Sequence, residues 1–90
     1  MAGYFDAELY GALLYSLRRL RKFQTAAALA DAVTEAGVRT RERTIWAIER
    51  GDQVAGVDRD LAFRKILRPA EGYFEEALRD GPPEQADARE

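Results

Sequence analysis

Apolar residues recur at spacings of three and four through most of this chain, and Thr25, Gly37, Gly51, Gly56 and Pro69 cut the run into short segments. A repeat near 3.6 gathers such positions on one face of a helix, whereas a strand needs alternation. No stretch of useful length alternates. The pattern predicts an all-α chain of about five helices, each too short to stand alone and obliged to cover its neighbours' apolar stripes.

The first helix follows Met1-Ala2-Gly3, with Asp6 as its cap and Leu9, Leu13, Leu17 and Leu20 as its stripe, widened by Tyr10 and Leu14. Arg18, Arg19, Arg21 and Lys22 gather at its end, where cations suit the helix dipole; they read either as a solvated terminus or as phosphate contacts. Thr25 caps a second, alanine-rich helix whose small side chains allow another helix close, and Gly37 ends it in left-handed conformation. Val38-Arg39 is then a turn, Thr40 a further N-cap, and Arg41 to Arg50 a third helix stopped by Gly51. Ile45 and Ile48 mark its buried side, with Glu49 on the flank; Trp46 reads as partial core or as a contact to DNA or a partner.

A loop from Asp52 to Gly56 leads to a fourth helix ending at Leu67 before Pro69, burying some of Val57, Leu61, Phe63, Ile66 and Leu67. A fifth, from about Ala70 to Leu78, carries Tyr73, Phe74, Ala77 and Leu78. One domain over 1–79 is expected, followed by a disordered acidic tail, 80–90, low in hydrophobicity and rich in Gly and Pro.

Composition removes most chemistry. There is no cysteine and no histidine, so disulfides, thiolate sites, the commonest general base and the commonest metal ligand are all excluded. Glu75-Glu76 and Asp58/Asp60 do not converge on a helix, no glycine-rich loop carries Lys-Ser/Thr, and no calcium loop exists. An enzyme, a metal and a cofactor are not expected. Acidic residues precede the first basic one and no apolar run approaches a membrane span, so a soluble, cytoplasmic protein with no membrane partner is expected. The net charge of −2 hides a division: residues 1–70 carry twelve Lys/Arg against nine Asp/Glu, while residues 71–90 carry two against seven. The body is therefore mildly basic, with its cations clustered.

A glycine-punctuated junction between the second and third of about five helices is a helix-turn-helix layout. Three segments carry a closer resemblance. Ile48-Glu49-Arg50-Gly51, closing a helix that starts at Thr40-Arg41-Glu42-Arg43-Thr44-Ile45, resembles the end of the recognition helix in the lambda-repressor/Cro type, or XRE family. Leu17-Arg18-Arg19-Leu20-Arg21 resembles that family's first helix, and Leu29-Ala30-Asp31-Ala32-Val33 its second. The similarity covers about residues 13–78. The chain departs from the family in a longer stretch between Leu29 and Ile45, as in regulators of the BldD type, and in a shorter one between Arg21 and Thr25. Ala26 stands where a phosphate-gripping polar residue is usual, and Asp52-Gln53 where the loop is often basic.

The resemblance implies double-stranded DNA as partner, with the Thr40–Arg50 helix in the major groove. Arg41 and Arg43 would read guanine, whose O6 and N7 match a planar guanidinium fork; Thr44 would meet a thymine methyl or polar base edge, and Ala47 would let the helix sit close. Arg39 and Thr40 would hold phosphates at one end and Arg50 at the other, while Glu42 would accept from cytosine or pair with an arginine. The implied function is a small repressor-like or Cro-like regulator, acting as a homodimer through Tyr73, Phe74 and Leu78 or through Tyr4 and Phe5. The alternative is an interaction module on the same fold, an antitoxin or antirepressor, binding a protein partner.

Overall fold

The computed structural model describes residues 6–78. Expectations placed on Tyr4, Phe5, the side chain of Leu78 and the tail 80–90 lie outside the described residues. Within them the chain is all-helical, with four helices and one terminal helical turn: α1 Ala7–Leu20, α2 Ala26–Glu35, α3 Glu42–Arg50, α4 Val57–Leu67 and α5 Glu75–Leu78.

α1 begins where Asp6 accepts a hydrogen bond from the Leu9 amide at 3.0 Å. Its buried face is Tyr10, Gly11, Leu14, Leu17 and Arg18, displaced from the expected leucine stripe. Leu9 and Leu13 are half-buried and Leu20 is 66% exposed, so Leu20 lies outside the buried face. Leu20 lies on the same helical edge as Leu13, but at the last turn, where that edge has run past the core. Gly11 explains the displacement. A Cβ there would stand 2.2 Å from the Ile48 carbonyl oxygen and 2.5 Å from that of Glu49, so α3 rests its last turn directly on the α1 backbone.

Thr25 caps α2, its hydroxyl accepting from Ala28 N–H at 3.1 Å, and Ala26, Leu29, Ala30 and Val33 are buried against the other helices. Gly37, at φ +109°, closes α2: its N–H donates to Thr34 O and the Val38 N–H to Val33 O, a Schellman arrangement. Gly51, at φ +84°, closes α3 by the same device, with Asp52 N–H donating to Ala47 O.

α4 buries Asp60, Ala62, Phe63 and Leu67; of the expected apolar set Phe63 and Leu67 are fully buried, while Leu61 is 58% exposed. The expected fifth helix from Ala70 is reduced to one turn. Gly72 takes φ +84°, and turn hydrogen bonds from Tyr73 N–H to Ala70 O and from Glu75 N–H to Gly72 O replace the helical ladder. The turn lets Phe74 enter the core, where its ring stacks on Tyr10 at 4.7 Å and meets Tyr73 edge-on at 5.1 Å. Tyr73 donates to the Leu13 carbonyl at 2.7 Å, fastening this segment to α1. No helix among the described residues is long and apolar enough to cross a membrane.

Candidate nucleic-acid interface

α2 and α3 are joined by residues 36–41, a turn held by side chains rather than by helix. The Thr34 hydroxyl donates to the Thr40 carbonyl and accepts from the Thr40 amide, both at 3.0 Å. Thr40 in turn donates its own hydroxyl to Val38 O at 2.8 Å and accepts from Arg59 Nε at 3.0 Å. The Arg59 guanidinium also donates to Ala55 O and to Arg39 O, both at 3.1 Å. One arginine of α4 therefore fixes the turn and the loop after α3 together.

This network overturns the expectation for Thr40. It is 8% exposed and spends its hydroxyl inside the turn, so it neither caps α3 nor faces outward. The N-cap is Arg41, in extended conformation with no side-chain cap bond. The helix therefore starts at Glu42, and the charge that meets its exposed amide end is that residue's carboxylate.

α3 is sharply two-sided. Ile45 and Ile48 are fully buried between α1 and α2, while Arg39, Arg41, Arg43 and Arg50 are exposed and Thr44 and Ala47 are half-buried at the boundary. Arg50 pairs with Asp52 at 3.0 Å, both side chains 64% exposed, a contact worth little in water. Trp46 is 46% exposed and stands outside the core, so the partial-core reading gives way to a surface one. With Ala12 and Tyr15 of α1 and Glu49 and Arg50 of α3 it lines an open groove of about 290 Å³.

The basic cluster at the end of α1 disperses. Arg18 turns inward onto Glu49, Nε to Oε2 at 2.7 Å and Nη2 to Oε1 at 3.2 Å, and donates to Phe23 O at 2.9 Å. Arg21 closes the end of α4 through the Leu67 and Arg68 carbonyls, at 2.7 and 2.8 Å. Arg19 stays exposed, donating to the Tyr15 hydroxyl at 2.8 Å and lying over its ring. A four-residue phosphate patch at this helix end is thus not assembled. Ala26, 3% exposed, offers nothing to a phosphate either, and Asp52 is exposed and acidic.

Three structural side chains escaped sequence reasoning: Arg18, Arg59 and Asp60. Arg18 carried a signal, since it stands four residues beyond Leu14 on the buried face. Asp60 accepts from Tyr10 and, at 2.9 Å, from Arg64. Burial raises the Tyr10 phenol above its ordinary pKa, and the Asp60 carboxylate beside it adds to the shift. No group of acidic side chains able to hold a metal occurs among the described residues. Comparison with protein-family models, with curated proteins and with solved structures finds no match.

Proposed function

We propose that the chain is a sequence-specific DNA-binding regulator that presents α3 to the major groove of double-stranded DNA as a homodimer. The two-sidedness of α3 carries this reading: Ile45 and Ile48 anchor it, leaving Arg39, Arg41 and Arg43 exposed around its first turn. An α-helix fits the major groove, and side chains of its first turns reach base edges. Arg41 and Arg43 read guanine, Thr44 and Ala47 set how closely the helix sits, and Arg39 and Arg50 hold phosphate. Thr40 leaves this set for the turn that aims it. The helix-turn-helix of lambda-repressor type is the fold this reading assigns to α2 and α3, with a lengthened turn between them, and its compartment is the cytoplasm.

A gel shift on the gene's own upstream region, repeated across salt concentrations, tests it. Binding that falls steeply with salt and weakens in the Arg41→Ala, Arg43→Ala double variant is expected. Absence of binding at low salt, or binding indifferent to both arginines, overturns it.

The exposed Trp46 beside an apolar groove favours a second reading, an interaction module on the same scaffold. A stoichiometric protein complex that forms without measurable DNA affinity decides for it.

A further inference from the structure

We propose that the groove between α1 and α3 is a docking site for this chain's own C-terminal segment, entered by Pro82-Pro83. The groove is walled by the exposed aromatic rings of Tyr15 and Trp46, with Ala12 between them. Its acidic lining residue, Glu49, is already neutralised by Arg18. The cations at its edge are Arg50, whose partner Asp52 is solvent-exposed and easily exchanged, and Arg19, held against Tyr15. Such a site fits an extended apolar segment flanked by carboxylates.

The chain supplies one. Asp80-Gly81-Pro82-Pro83-Glu84 follows α5 closely, and its two prolines stand between two acids. Proline segments dock in aromatic-lined grooves because they are already extended and lose little freedom on binding. Reach is sufficient. The Asp6 amide donates to Ala77 O at 3.2 Å, so the chain passes the start of α1 just before Leu78. Glu8, two residues further, lies against Gly51 at the end of α3, next to Arg50. Ala12 is about 9 Å along α1 from Asp6, at ~1.5 Å per residue. Four extended residues from Leu78 to Pro82 span up to about 13 Å. A second copy of the chain is a poorer occupant, since a two-fold contact here brings Arg19 and Arg50 toward their own equivalents.

Trp46 is the chain's one tryptophan, so its fluorescence reports the groove directly and no DNA enters the experiment. Acrylamide quenching is compared between the full-length protein, a Pro82→Gly, Pro83→Gly variant and an Asp80→Asn, Glu84→Gln variant. All three keep the residues of the core, so folding is common to them. The native chain should be quenched about twofold less than either variant, because a short tether holds the segment at an effective concentration on the order of millimolar. The protection should be independent of protein concentration and should fade with salt. Equal quenching in all three proteins overturns the proposal. Protection that grows with protein concentration overturns it too, by assigning the groove to a second copy.

Discussion

Arg18 and Glu49 meet as a two-point ion pair across 31 residues of sequence, with side-chain exposures of 6% and 8%. The contact joins the end of α1 to the last turn of α3, the same turn that rests on Gly11. It therefore fixes the seat of the helix that carries the exposed arginines.

Breaking this pair from one side should be costly. An uncompensated charge left in a buried site destabilises by about 3–5 kcal/mol, whereas an apolar pair of similar volume is often neutral. Urea unfolding of Arg18→Met, Glu49→Leu and the double variant should therefore show two large losses and a partial recovery when both changes are combined. Additive losses would show that the two side chains do not act as a pair.

Gly11 sets a second expectation, opposite to the ordinary rule. Replacing a helix-interior glycine by alanine usually gains about 1 kcal/mol. Here the new Cβ would sit 2.2 Å from the Ile48 carbonyl oxygen, a backbone atom that cannot rotate away. Overpacking of this kind costs about 1–3 kcal/mol or more, so the penalty wins. Thermal melts should place Gly11→Ala below the native protein, while Ser16→Ala on the exposed side of α1 stays close to it. An unchanged or raised Tm for Gly11→Ala would mean that α3 does not approach so closely.

What was legible in the sequence was local. Asp6, Thr25, Gly37 and Gly51 act as expected because a cap or a left-handed stop depends on its own helix end and little else. Thr40 looks like the same signal and behaves otherwise, because Thr34 and Arg59, the latter 19 positions away, claim its polar atoms first. Arg18 looks like part of a cationic helix end until a carboxylate from another helix reaches it. The exposed Arg43 stands where helical periodicity puts it, on the side of α3 away from Ile45 and Ile48, whereas Arg39 and Arg41 precede the helix and owe their exposure to the turn. Tertiary hydrogen bonds carry no periodicity, and Thr40, Arg18 and Arg21 are misplaced by sequence reasoning because they make them.

Tyr10 gives the fold a limit in alkali. Its phenol pKa is raised in the folded protein, first by burial and then by Asp60, so the folded state holds the proton that an unfolded chain releases near pH 10. The stability from this linkage is fully present below pH 10 and is lost as pH rises beyond it toward the folded value. Unfolding free energy should therefore decline above pH 10. Tyr10→Phe should lower stability at neutral pH by about 1–3 kcal/mol, having removed a donor from a buried carboxylate, yet flatten the alkaline slope. An alkaline slope identical in both proteins would remove Tyr10 from the cause.

Arg59 offers the sharpest test of how the proposed interface is held. Each of its three nitrogens donates within the protein, to Thr40, Ala55 and Arg39, so its part in the proposed interface is to position the turn. Arg59→Ala should weaken DNA binding roughly tenfold, about 1.4 kcal/mol, by loosening the turn. The dependence on salt should keep its slope, because that slope counts neutralised phosphates. Arg39→Ala, by contrast, should lower affinity across all sequences and reduce the slope by about one. Amide exchange at Thr40, measured without DNA, should quicken in Arg59→Ala and stay unchanged in Arg39→Ala, whose carbonyl remains for the clamp. A reduced salt slope in Arg59→Ala would instead make Arg59 a phosphate contact, and unchanged exchange at Thr40 would deny it the clamp.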